Sequence, residues 1–237
     1  MGAGALPVDE HRRRPPIPIV RVDAHARAGA LARGAGEREA WLAAVTGGTA
    51  APRVRVVSTR EVEVLRTTLA PRGDGAMMTV GEVALAVDTG RELAARAAAD
   101  GVQVLVATAP SAASDAPARA LAEGLAAPGD HGPLRALRRL GDAPIAVLCG
   151  IALGAGERGL GCVCHGPAAL AGAAVAAGIE PDLRERLLAA GVPADDALVA
   201  HFGAGIAPGA DAAAVAAALD ATPLAPLPPR ARPPAPR

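Results

Sequence analysis

The sequence predicts an α/β fold: a three-layer, mostly parallel, Rossmann-like sheet with helices on both faces. Three observations predict it. Short apolar, β-branched runs alternate with helical patterns along most of the chain, as parallel strands require, because a crossover must return the chain to the same end of the sheet. The stretch Arg138 to Leu188 reads, in order, as helix, glycine-rich turn, short apolar strand, His-Gly turn, alanine-rich helix and polar helix start. Such an order is one unit of a parallel α/β sheet, whose ligands bind at the carboxyl ends of the strands. Finally, 237 residues with a hydrophobic fraction of 51% suffice for one full core.

The elements follow in chain order. Residues 1–16 hold charge and proline and are expected to be a flexible N-terminal segment. Strands are predicted at Ile17–Val22, Arg53–Ser58, Val102–Thr108, Gly161–Cys164 and Ala197–His201. Between them, helical spacing occurs at Arg38–Val45, Val80–Asp100, Ala116–Ala126, Leu134–Leu140, Ile145–Arg158, Ala168–Gly178, Pro181–Gly191 and Asp211–Leu219. Thr79 with Glu82 forms a Thr-x-x-Glu capping box at a helix start. Asp100 and Gly101 stop that helix, and Val102 resumes as a strand. Residues 223–237 read PLAPLPPRARPPAPR; proline removes backbone donors and fixes φ, so a disordered, polyproline-rich tail is expected. The α/β domain is thus expected over residues 17–222.

Composition excludes several functions. The net charge is zero, so no global field steers nucleic acid or an anionic membrane, and neither is expected as a partner. The start, MGAGALPVDEHRRRPP, places charge after a short apolar piece, the wrong order for an export signal. The uncharged run Ala143–Gly156 is too short to span a bilayer. Three cysteines fit no disulfide framework. A reduced, cytoplasmic protein without a cofactor is expected.

Several residues could carry chemistry. Cys162, Cys164 and His165 supply metal-ligating types, but on a strand the two cysteines share one face while His165 points to the other. A zinc site needs four ligands and no second pair follows, so no metal is expected. His165 and Gly166 end one predicted strand and His201 ends another, where α/β ligands bind; a surface or strand-capping histidine is the plain alternative. Ser111, Ser114 and Asp115 precede a helix whose free amides attract anions. The same Ser-Asp pair also suits an ordinary helix cap, and Asp115 would repel a phosphate. The glycines from Gly150 to Gly156 fall inside a helical pattern rather than between strand and helix, so close helix–sheet packing explains them better than a dinucleotide fingerprint.

Residues 53–205 resemble the nicotinate-nucleotide–dimethylbenzimidazole phosphoribosyltransferases of cobalamin nucleotide-loop assembly. The likeness is carried by APRGDGAMMTVGEVALAVDTGRELAARAAADGVQVLVA at residues 70–107, by the unit from Arg138 to Leu188, and by Leu198-Val199-Ala200-His201-Phe202. The resemblance implies transfer of a phosphoribosyl group from nicotinate mononucleotide to a benzimidazole base, with Ser111, Ser114, Asp115, His165, Gly166 and His201 as substrate-binding candidates. Where the family carries Gly-Glu-x-Gly-x-x-Asn-Thr-Thr-Pro-Ala-Ala to receive the nucleotide phosphate, this chain has Thr108 through Ala118, with Ala109 in place of the glutamate. The family's N-terminal Gly-x-Leu-Gly-x-Leu-Glu pattern and C-terminal Arg-Leu-Gly-Glu-Gly motif, which holds its catalytic carboxylate, have no match. A shortened, diverged member with impaired or lost catalysis is therefore expected, with no catalytic residue assigned. The alternative is a non-catalytic homologue that binds a nucleotide or base, as a homodimer or as support for a partner subunit.

Overall fold

The computed structural model describes residues 38–48, 52–59, 76–110, 112–127, 132–192 and 210–221. Helix α1 (38–46) leads to strand β1 (Val54–Ser58), helix α2 (Val80–Ala99) and strand β2 (Val104–Thr108). A 3₁₀ turn (Ala112–Ser114) then opens α3 (Asp115–Ala126), followed by α4 (Pro133–Leu140) and α5 (Ala143–Glu157). Strand β3 (Gly161–His165), α6 (Pro167–Ile179), a second 3₁₀ turn (Pro181–Arg186), β4 (Leu187–Ala190) and α7 (Ala212–Asp220) complete the described elements.

The four strands are parallel and lie in the order β1-β2-β3-β4. Sequential order has a packing consequence: right-handed crossovers between successive strands lay every connecting helix on the same face. The side chains follow suit, alternating along each strand. Leu105, Ala107, Cys162 and Cys164 join a core with α2, α3, α5 and α6. Val104, Val106 and Val163 point the other way, onto Leu42 of α1 and Val215 and Leu219 of α7. The three-layer, parallel α/β fold read from the sequence is therefore correct, with five helices on one face and α1 and α7 on the other among the described residues.

Helix α5 shows why these residues form these elements. It is capped by Asp142, whose carboxylate accepts from the Ile145 amide at 3.0 Å. Apart from Pro144, every residue from Ala143 to Ala155 is buried, as expected of a helix that is apolar all round. Its partner α2 carries the capping box anticipated at Thr79 and Glu82 and runs alongside at backbone contact. A Cβ on Gly150 would overlap the Val87 carbonyl, and one on Gly90 would overlap the Val147 carbonyl. The glycine run thus serves helix–helix rather than helix–sheet packing.

One predicted element is overturned. The helix expected at Pro181–Gly191 is a 3₁₀ turn followed by strand β4, whose Leu188 and Ala189 pair with Val163 and Cys164 of β3. The Leu-Leu-Ala-Ala run has good helix propensity, but an open β3 edge offers a full ladder, and tertiary pairing overrides propensity. Gly191, at φ 72, then turns the chain away. The strands expected at 17–22 and 197–201 and the terminal segments 1–16 and 223–237 lie outside the described residues. Among those described, no helix is long and apolar enough to cross a membrane; the stretch from Gly159 to Ile179, which lacks Asp, Glu, Lys and Arg, is divided between β3 and α6.

Candidate functional site at the carboxyl edge of the sheet

Register aligns the strand ends into one row: Ser58 beside Thr108, Thr108 beside His165, and His165 beside Ala190. In an open α/β sheet this edge is the ordinary ligand site. His165 stands near its centre. Its Nε2 lies 2.7 Å from the Ala210 carbonyl; a carbonyl can only accept, so Nε2 carries the proton. Nδ1 faces the Thr108 hydroxyl at 3.4 Å. A Cβ on Gly191 would overlap the imidazole, so the bare glycine gives the ring its room. His165 is thereby half-buried and tied to the start of α7, where Asp211 caps the helix by accepting from the Ala214 amide at 2.7 Å.

Gly166 follows as the N-cap of α6, at φ 83 and ψ 170. Only glycine adopts that region readily. Its amide donates to the Ala190 carbonyl at 3.0 Å, closing the turn between β3 and α6.

The loop after β2 leaves from the neighbouring strand end and enters α3. Ser114 is the N-cap residue of α3 and is buried there, but its side chain makes no capping bond to the helix. Its hydroxyl instead donates to the carboxylate of Asp142, a residue 1% exposed. Burial pushes the Asp142 carboxyl above the usual carboxylate range, against the opposing pull of the bonds from Ser114 and Ile145. Asp142 thus joins the N-termini of α3 and α5. Asp115, in the first turn of α3, is half-buried. Ala109 packs against the core.

The fold thus brings Ser114, Asp115, His165 and Gly166 to one edge of the sheet, while Ser111 and His201 lie outside the described residues. Residue types alone did not single out Asp142 or Gly191. Asp142 had a local signal, an aspartate after glycine and before Ala-Pro, which is a helix-start pattern. Cys162 and Cys164 point into the α5–α6 core whereas His165 bonds toward α7, so the three do not converge on a metal.

The fold agrees with that of known proteins. Residues 118–204 match the phosphoribosyltransferase family model. Solved structures of similar fold include nicotinate-nucleotide–dimethylbenzimidazole phosphoribosyltransferases, the family the sequence resembles. The fold is shared with one from Thermus thermophilus at a TM-score of 0.57 and 20% identity, over 79% of this chain and 88% of that one. It is shared with CobT from the same organism at a TM-score of 0.51 and 21% identity, over 66% and 76%. No curated protein matches the sequence.

Proposed function

We propose that the chain binds a nucleotide or its base, nicotinate mononucleotide or a close relative, at the carboxyl edge of the sheet, with transferase chemistry impaired or lost. The reaction of the resembling family breaks the C1′–N bond to nicotinate and forms a C1′–N bond to the benzimidazole. The incoming ring's N–H proton must pass to a base, and the 5′-phosphate must be cradled. One observation carries the reading. Where the resemblance implies a loop glutamate, the chain has Ala109, packed on the core, and Ser114, later in the same loop, gives its hydroxyl to Asp142. Neither position offers a base. Losing a positioned base costs about 10²–10⁴-fold in rate.

The test is an assay for α-ribazole phosphate from nicotinate mononucleotide and dimethylbenzimidazole, paired with calorimetric titration of nicotinate mononucleotide. Measurable binding with product formation at least about 10²-fold below an intact family member is the expected result. Full turnover would overturn the impaired-catalysis reading. Absence of binding would overturn the nucleotide site itself and favour a supporting role for a partner subunit.

A further inference from the structure

The two ring nitrogens of His165 stand in unequal situations. The short contact of Nε2 with the Ala210 carbonyl, 2.7 Å, fixes a proton on Nε2. A neutral imidazole carries only one such proton, which makes Nδ1 a bare acceptor. Its partner among the described residues, the Thr108 hydroxyl, is 3.4 Å away, longer than an ordinary hydrogen bond from a hydroxyl. The same hydroxyl lies 3.3 Å from the Ala109 carbonyl, so its single proton has a second place to go. The Nδ1 lone pair is therefore only loosely held, at a strand end where α/β ligands bind.

The ring is fixed and within reach. Along β2 and β3 every residue is buried until the last, and those last residues, Thr108 and His165, are partly exposed. Just beyond, a Cβ placed on Gly166 would meet nothing within 4 Å, so open space adjoins the imidazole. Turning the ring over would set a carbon against the Ala210 carbonyl and forfeit the 2.7 Å bond. What a ligand must bring follows from the chemistry of Nδ1. An N–H donor completes it, whereas a carboxylate oxygen meets it acceptor to acceptor.

We propose that Nδ1 of His165 accepts the ring N–H of a neutral azole, and so selects an azole over nicotinate at this part of the edge. As the azole takes Nδ1, the Thr108 hydroxyl turns to the Ala109 carbonyl. The inference rests on the reading of the edge as a nucleotide and base site, and adds to it the atom that discriminates between bases.

Benzimidazole and benzoxazole differ at one ring position, N–H in the first and oxygen in the second. Calorimetric titration of the full chain with each therefore isolates the hydrogen bond, and benzimidazole should bind about tenfold more tightly. In nitrogen-15 spectra His165 should show a protonated Nε2 and a bare Nδ1, and benzimidazole should shift the Nδ1 resonance where benzoxazole does not. A glutamine amide reaches the Nε2 position and keeps a donor for Ala210 but places nothing at Nδ1, whereas an asparagine amide places a carbonyl there. His165→Gln should thus bind both azoles alike, and His165→Asn should retain the preference for benzimidazole. Equal binding of the two by the native chain, a proton on Nδ1 in place of Nε2, or an unchanged preference in His165→Gln overturns the proposal. If nicotinate mononucleotide binds and neither azole does, this proposal alone falls. If the nucleotide and both azoles fail to bind, the reading of the edge falls with it. Should the variants fail to fold, the native titrations and the nitrogen spectra decide.

Discussion

Asp142 does two jobs with one carboxylate, capping α5 and accepting from Ser114. Because burial raises its pKa, the folded state holds this proton more tightly than the unfolded chain does. Its contribution to stability is therefore fully present at low pH. That contribution declines as pH rises from the unfolded value, about 3.9, through the higher folded one. Asp142→Asn keeps an acceptor for the Ile145 amide and removes the titration, so its stability relative to the native chain should improve between pH 4 and pH 7. Asp142→Ala should lose about 1 kcal/mol for the cap and a further 1–3 kcal/mol, roughly, for the stranded Ser114 hydroxyl. Urea melts of both variants at the two pH values check this. Sequence shows that Ser114 and Asp142 each stand at a helix start, but nothing local announces that they meet. A bond between distant helix starts depends on how α3 and α5 pack, which no spacing rule encodes. The buried thiols are a simpler case. Desolvation pushes Cys149 up to about 12, and Cys164, beside Cys162, is also raised, so these two are packing groups rather than nucleophiles.

Elements whose signals are local were readable. The Thr79 capping box, the Asp100-Gly101 stop and the His165-Gly166 turn each depend on a few adjacent residues, and each is found where the letters put it. Strand β4 was not readable, because Leu187 to Ala190 is equally compatible with a helix and its pairing partner is supplied by β3. The crossing of α2 and α5 lies between these extremes: the glycines were evident and their partner was not. Gly150→Ala forces a methyl group against the Val87 carbonyl and should lower stability by about 1–3 kcal/mol, or more if the helices separate. Gly81→Ala is the matched control, since it sits in the exposed first turn of α2 with nothing within 4 Å of the added methyl. It should be neutral or stabilising by up to about 1 kcal/mol. Thermal melts of the two variants check the contrast.

Across the whole molecule, alternation of strands and helices revealed the layers but not the strand order. Strand β2 is buried on both sides, apart from Thr108 at its end, so its letters carry no clean period-2 pattern from which a face could be assigned. The resulting sheet is unevenly clad. One face rests on α2 to α6, whereas the other, among the described residues, is covered by α1 and α7 alone.

The layer formed by α1 and α7 contains the chain's one tryptophan, in a sequence with no tyrosine. Trp41 lies across Gly161 at the start of β3, with its Nε1 buried and without a hydrogen-bond partner among the described residues. Intrinsic fluorescence of this protein is consequently a private signal of one layer, whereas far-ultraviolet circular dichroism is weighted toward the helices of the other. In a denaturant titration, the emission should redden before the helical signal falls, as the layer with the smaller described core opens first. Superimposable curves would mean instead that the two layers melt as one cooperative unit.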